Sequence, residues 1–182
     1  MKLVRHWESE QKMSLSIPEK SPSEFVIRTL EPRDLKEYVK LLGQLTSVEK
    51  HTQHELEERL QLISKNPFHQ IFVLIQIKPQ LEYSLSTPPS LKLVGCATLL
   101  IEPKFIRGMT HLGHIEDVCV NDEFRGLGYG QVLIEHLKRV AQQSGCYKVS
   151  LNCSDKNVTF YQKCGFFRNA NQMTETFVRS RL

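Results

Sequence analysis

Residues 114–138 read HIEDVCVNDEFRGLGYGQVLIEHLK, and the stretch changes character halfway. It starts as an alternating apolar segment, passes Gly126, Gly128 and Gly130, and ends as an amphipathic helix. Glycine permits positive φ and close approach of another molecule to the main chain. At a strand-to-helix junction it leaves several N–H groups pointing outward at the positive end of the helix dipole. That is a cradle for an anion such as phosphate or pyrophosphate. Two familiar phosphate loops do not fit. Gln131 stands where G-x-G-x-x-G needs its third glycine, and no G-x-x-x-x-G-K-[ST] occurs in the chain.

Outward from this junction, hydrophobic periodicity predicts one mixed α/β domain. Residues 25–28 read as a first strand. Pro32 opens a helix whose apolar face is Leu35, Tyr38, Val39, Leu41, Leu42 and Leu45. A second helix covers 53–64, with Leu56, Leu60 and Ile63 at helical spacing. Residues 71–77 are almost continuously apolar, the pattern of a strand covered on both faces. Residues 78–90 hold three prolines and three serines, and read as a long hairpin loop or insertion. Strands follow at 91–102 and 112–120, joined by a loop carrying Lys104 and Arg107. Then come a helix at 131–143, a strand at 147–153, a short helix at 157–163 and two last strands, the final one at 173–178. The domain spans 25–178, between a polar tail at 1–24 and a short one at 179–182.

The 182 residues suffice for a real core without disulfides or metal. A formal charge of +4, with no lysine- or arginine-rich block, suits anionic small ligands and argues against nucleic acid. No segment is apolar enough for a signal peptide or a membrane span. The five cysteines (Cys96, Cys119, Cys146, Cys153, Cys164) form no C-x-x-C pair and are expected reduced and buried. His51 and His54 are expected on the wet face of an acidic helix, with no metal site. The chain ends Ser180-Arg181-Leu182, a variant of the Ser-Lys-Leu address, which predicts an import receptor and a peroxisome-type organelle, peroxisome or glycosome, with the cytoplasm as the alternative.

Arg125-x-x-Gly128-x-Gly130 after an apolar strand resembles the acetyl-coenzyme A signature of the GNAT acyltransferase superfamily. Gly113-His114-Ile115-Glu116-Asp117-Val118, Gly145-Cys146-Tyr147-Lys148-Val149 and the run from Asn157 to Phe166 are similar to its glucosamine-6-phosphate N-acetyltransferase branch. So are Leu45-Thr46-Ser47-Val48 and Lys104-Phe105-Ile106. The resemblance implies a GNAT fold, with a central, mixed, mostly antiparallel, twisted sheet flanked by helices on both faces. It implies acetyl-CoA as co-substrate, no metal, glucosamine 6-phosphate as acceptor in UDP-N-acetylglucosamine biosynthesis, direct attack in a ternary complex, and a homodimer.

The same resemblance assigns residues. Arg125, Gly126, Leu127, Gly128, Tyr129, Gly130 and Gln131 would hold the pyrophosphate of coenzyme A. The main chain of Val118, Cys119 and Val120, with Asn157 and Tyr161, would hold the pantetheine arm and the thioester. Tyr161 would stabilise or protonate the departing thiolate; beyond what the resemblance assigns, Glu116 is the expected route for the amine proton, directly or through water. Glu116, Asp117 and Val118 would meet the sugar. Adjacent strand residues face opposite ways, so Glu116 and Asp117 could share one ligand only on a bulged strand. Lys104 and Arg107, with Tyr147 and Lys148, would meet the phosphate, Thr46 would add a hydroxyl or main-chain donor, and Phe105 and Ile106 would also belong to the substrate site. Asn152 stands where the family carries an acid, and Thr176 where it carries an arginine, leaving Arg179 as the nearest substitute. An acetyltransferase for another small amine and a non-catalytic CoA-binding module are the alternatives.

Overall fold

The structure, a computed structural model, describes residues 24–77, 91–175 and 177. In chain order come β1 (Glu24–Thr29), a 3-10 turn (Pro32–Asp34), α1 (Leu35–Leu42), α2 (Gln53–Ser64), β2 (His69–Ile77) and β3 (Leu91–Pro103). A short turn, α3 (Ile106–Met109), leads to β4 (His111–Val120), a 3-10 turn (Asp122–Phe124), α4 (Tyr129–Gln143), β5 (Cys146–Leu151), a last 3-10 turn (Asp155–Asn157) and α5 (Val158–Lys163). The strands form one sheet in the order β1-β2-β3-β4-β5. Every pairing is antiparallel except β4 with β5. This is the mixed, mostly antiparallel sheet expected from the sequence.

Local chemistry sets the boundaries. Thr52 caps α2 by accepting from the Glu55 N–H, while the Glu55 carboxylate accepts from the Thr52 N–H at 2.7 Å. That reciprocal pair satisfies two orphan donors and starts the helix where its apolar periodicity begins. The Arg28 guanidinium grips Asp34 through two bonds of 2.6 and 2.9 Å, tying the end of β1 to the turn before α1. Burial pushes the Asp34 carboxyl upward, but Arg28 and the Glu31 N–H outweigh it and hold it below its usual range. α1 ends sooner than its apolar pattern suggests, and Leu45 lies beyond it, exposed.

The continuous apolar run in β2 follows from its central place. Ile71, Val73 and Ile75 meet Leu35, Tyr38 and Leu41 of α1 and Leu60 of α2. Phe72 and Leu74 face the other way, toward Leu133, Ile134 and Leu137 of α4. Those three α4 side chains are fully buried. Truncating one of them to alanine would cost about 2–5 kcal/mol.

His136, also on α4, packs edge-on against Phe72 with ring centroids 4.8 Å apart, and its buried Nε2 has no hydrogen-bond partner. Burial, aided by the Arg139 charge, pushes it down to about 4. The folded chain therefore keeps His136 neutral while the unfolded chain binds a proton below about pH 6.5. Stability present above that value is lost as pH falls toward 4, to the extent of about 3 kcal/mol. Denaturant titrations at pH 7.5 and 4.5 should show His136→Leu losing less stability on acidification than the parent chain; equal losses would refute this.

Several expectations need correction. The strand expected at 147–153 stops at Leu151, where its pairing with β4 ends, so Asn152 and Cys153 lie past it, exposed. Cys96, Cys119 and Cys164 are buried, but Cys153 is not. The two strands expected after residue 163 are absent among the described residues, since 166–175 carry neither strand nor helix. β5 ends the sheet, and no described segment returns to pair with its outer edge. Phe167, Met173 and Phe177 on this stretch are exposed. The N-terminal tail, the 78–90 insertion, Thr176, Arg179 and Ser180-Arg181-Leu182 lie outside the described residues.

Candidate active site

The site forms where β4 and β5 part. Their parallel pairing runs from His111 and Cys146 to Ile115 and Leu151 and stops there. From Glu116 to Val120, β4 keeps β3 on one side and has no described strand on the other. Main-chain groups on that free edge need a partner from outside the sheet.

At the same point β4 bulges. Cys96 of β3 lies opposite Cys119 and Thr98 opposite Glu116, so two steps on β3 span three on β4. Asp117 absorbs the extra residue with φ 51, a left-handed conformation rare for a non-glycine residue. The bulge restores alternation beyond it. Ile115, Val118 and Val120 pack with the α4-side clusters, while Cys119 packs with α1 and α2. It also turns Glu116 and Asp117 to one side of the sheet, the condition set above for the two to meet one ligand. Asp117 lies within electrostatic reach of Tyr38, Cys96 and His69, all on that side. The Cys119 thiol donates to the Leu41 carbonyl at 3.4 Å, and burial pushes it up. It is a packed thiol, not an activated nucleophile.

Gly128, immediately before α4, has φ 84, and no side chain caps the helix. Gly126 has φ 77, and a Cβ at either glycine would meet nothing within 4 Å. The first N–H groups of α4 therefore lie beside open space, as a phosphate cradle demands. Within the loop the residues differ. Leu127 and Gln131 are exposed, whereas the Tyr129 ring is buried against Phe25 at 4.8 Å and offers a ligand only its main chain. Arg125 is engaged: its Nε donates to the Val120 carbonyl at 3.1 Å, and its guanidinium pairs with Asp122 at 2.6 Å. Gly130 serves packing, because a Cβ there would stand 3.1 Å from the Phe160 ring of α5. Phe160 thus lies over the start of α4 and is partly exposed, not in the core as its place on the helix suggests.

Tyr161, next on α5, packs against the α4-side core and between the rings of Phe160 and Phe166. Burial, with smaller contributions from Cys153, Cys164 and the Glu116 carboxylate, pushes its phenol up to about 12. The Glu116 carboxylate is thus within electrostatic reach of the Tyr161 phenol. Asn157 caps the start of α5 without a side-chain bond and is exposed.

A residue range of this chain, 45–166, matches the family model described as Acetyltransferase (GNAT) family. The chain belongs to the GNAT acetyltransferase family. A Dictyostelium discoideum relative named glucosamine 6-phosphate N-acetyltransferase 1 is 39% identical over 76% of this chain and 82% of its own. A Trypanosoma brucei brucei relative named glucosamine 6-phosphate N-acetyltransferase is 37% identical over 81% of this chain and 92% of its own. The crystal structure of glucosamine-6-phosphate N-acetyltransferase from Arabidopsis thaliana superposes with a TM-score of 0.72 at 37% identity, covering 85% of this chain and 99% of that one.

On this GNAT sheet the cationic residues gather at the other end of β4. Arg107 and Lys148 both lie over the Tyr147 ring, 6.0 and 5.7 Å from its centroid. The turn that presents Arg107 is left-handed at Arg107, Gly108 and Met109, with φ of 58, 73 and 59. Lys104 pairs with Glu102, and Phe105 and Ile106 are exposed. Thr46 sits on the turn after α1 and spends its N–H on the Leu42 carbonyl at 3.0 Å, so only its hydroxyl is left to offer. Periodicity pointed to none of the supporting contacts. Gln44 accepts from the Asp122 N–H at 3.0 Å, and the Cys96 thiol donates to the Asp117 carbonyl at 3.6 Å beside the bulge. Such partners become visible only once strand register is known.

Proposed function

We propose that this GNAT chain transfers the acetyl group of acetyl-CoA to the 2-amine of glucosamine 6-phosphate, giving N-acetylglucosamine 6-phosphate and CoA. The observation that carries the reading is the β4 bulge. It sets Glu116 and Asp117 on one side of the sheet, between an open helix terminus and a cationic cluster. Acetyl-CoA supplies an activated thioester. The residues fit its diphosphate, because the α4 amides are uncapped and the glycine loop leaves the space open. The unpaired β4 edge offers main-chain groups to the pantetheine arm, and the Val118 N–H is the candidate donor to the thioester carbonyl as negative charge develops there.

Glu116 takes the amine proton, directly or through water, and the freed amine attacks. Asp117, whose main chain is fixed by the bulge, orients the sugar. Arg107 and Lys148, with Lys104, pair with the phosphate. Tyr161 faces the leaving sulfur. A thiol ionises near 8.5, far below a phenol at about 12, so Tyr161 hydrogen-bonds the thiolate instead of surrendering its proton. Asn152 can orient a partner but take no proton. Tyr161→Phe should lower kcat by about 10–100-fold and change the KM for acetyl-CoA by less than about threefold. A parallel loss in both would remove the leaving-group role.

Thiol release assayed with glucosamine 6-phosphate, glucosamine and spermidine tests the substrate. Turnover that requires the phosphate supports the proposal, and preference for spermidine would replace it by acetylation of a cationic amine. A homodimer belongs to the same reading. It is supported by the outer edge of β5, which no described segment pairs, and by exposed Phe167, Met173 and Phe177, and sedimentation at micromolar concentration decides it.

A further inference from the structure

Three polar side chains with no role assigned so far, one from each of three strands, link to Lys104 on the Glu116 side of the sheet. Lys104 Nζ pairs with Glu102 Oε1. Glu102 Oε2 lies 3.2 Å from His114 Nε2, and His114 Nδ1 lies 3.2 Å from Ser150 Oγ. Ser150 Oγ is also 3.5 Å from the Gly113 carbonyl. Register explains the alignment: His114 has Leu100 of β3 opposite it on one side and Ser150 of β5 on the other. His114 stands two residues before Glu116 on the same strand, so the two share a face.

We propose that Glu102, His114 and Ser150 form a positioning chain for Lys104, and that His114 takes up a proton from solvent as the substrate's phosphate binds. This rests on the reading of Lys104 as a phosphate ligand. The geometry accommodates both charge states of the ring. When His114 is neutral with its proton on Nε2, that N–H donates to Glu102 and the Ser150 hydroxyl donates to Nδ1. When it is cationic, Nδ1–H donates to Ser150 Oγ, and the hydroxyl turns to the Gly113 carbonyl. Neither state leaves a group unpaired, so the proton can come and go without rearrangement of the sheet.

The charges around the ring decide which state prevails. Glu102 from β3 and Glu116 from β4, with Asp117 at the bulge, favour the cation. Lys104, just past the end of β3, and Lys148 from β5 oppose it, and His69 on β2, beyond Leu100, would oppose it if charged. A phosphate dianion arriving between the two lysines cancels the opposition. Protonated His114 then shares Glu102 more strongly, which loosens the hold of Glu102 on Lys104 and lets the ammonium turn to the phosphate. His114 touches no reacting atom in this scheme and acts through Lys104.

The test measures binding of N-acetylglucosamine 6-phosphate, which has no titrating amine, by calorimetry from pH 6 to 8.5 in buffers of different ionisation enthalpy. N-acetylglucosamine is the phosphate-free control. The parent chain should take up protons on binding and tighten by roughly 5–10-fold more toward low pH than His114→Gln, since phosphate titration is common to both. His114→Gln keeps a donor toward Glu102, so its KM for glucosamine 6-phosphate at pH 8.5 should approach that of the parent. His114→Phe should raise that KM about 10-fold at every pH while leaving kcat within about twofold. Identical pH slopes in the parent and His114→Gln, or a loss confined to kcat, would overturn the proposal. If Lys104→Gln leaves the sugar phosphate bound as tightly as before, it is the underlying phosphate assignment that fails.

Discussion

Glu116→Gln is expected to lower turnover by about 100–1,000-fold, the scale of losing a positioned general base. Glutamine has nearly the same shape and can still hydrogen-bond a sugar, so binding should survive. It cannot accept a proton from an ammonium or from a bridging water. Acetyl-CoA affinity should stay within about twofold, because the uncapped α4 terminus is built from other residues. The bulge at Asp117 is a backbone feature, and the fold should persist, with an unchanged thermal transition. The comparison that decides is single-turnover thiol release at saturating substrates. A variant within threefold of the parent would remove Glu116 from proton transfer and leave the amine to lose its proton to solvent before binding. Asp117→Asn serves as the contrast: it should raise the KM for the sugar more than it lowers kcat.

Gly128→Val should cost more in cofactor binding, with a KM for acetyl-CoA raised at least about 30-fold. Two effects add. Gly128 has φ 84, which a residue with a Cβ adopts at a cost of about 1–2 kcal/mol, and a β-branched one at more. The new side chain would also project into the open space beside the first amides of α4, where a Cβ meets no protein atom. The fold can bear the strain, but the ligand meets the crowding directly. Gly128→Ala carries the first effect and little of the second, so its KM should fall between those of the parent and the valine variant. Unchanged affinity in Gly128→Val, measured by equilibrium binding of CoA, would contradict the cradle.

Much of this was legible because it is local. Arg125 to Gly130 fall at a junction whose glycines need positive φ, and the structure has positive φ at Gly126 and Gly128. Thr52 and Glu55 announce the start of α2 within four residues. The adjacent carboxylates Glu116 and Asp117 make sense together only on a bulged strand, and the bulge is there. What stayed hidden depends on register or on packing between distant segments. Glu102, His114 and Ser150 come from three strands and meet only through the pairing of residues 12 and 36 positions apart. Phe160 and Tyr161 share the apolar pattern of one short helix. Only the docking of α5 on α4 decides that Tyr161 enters the core and Phe160 covers Gly130. The last two expected strands rest on apolar content alone, and residues 166–175 carry neither strand nor helix although no described segment pairs with the outer edge of β5.

The early separation of β4 from β5 has a mechanical meaning. Up to Ile115 and Leu151 the two strands are stitched together; past them the fabric is torn open on one side. An amide-bearing thread laid in that gap would act as a surrogate strand and close the weave, so loading the enzyme would also stiffen the wall that carries Glu116.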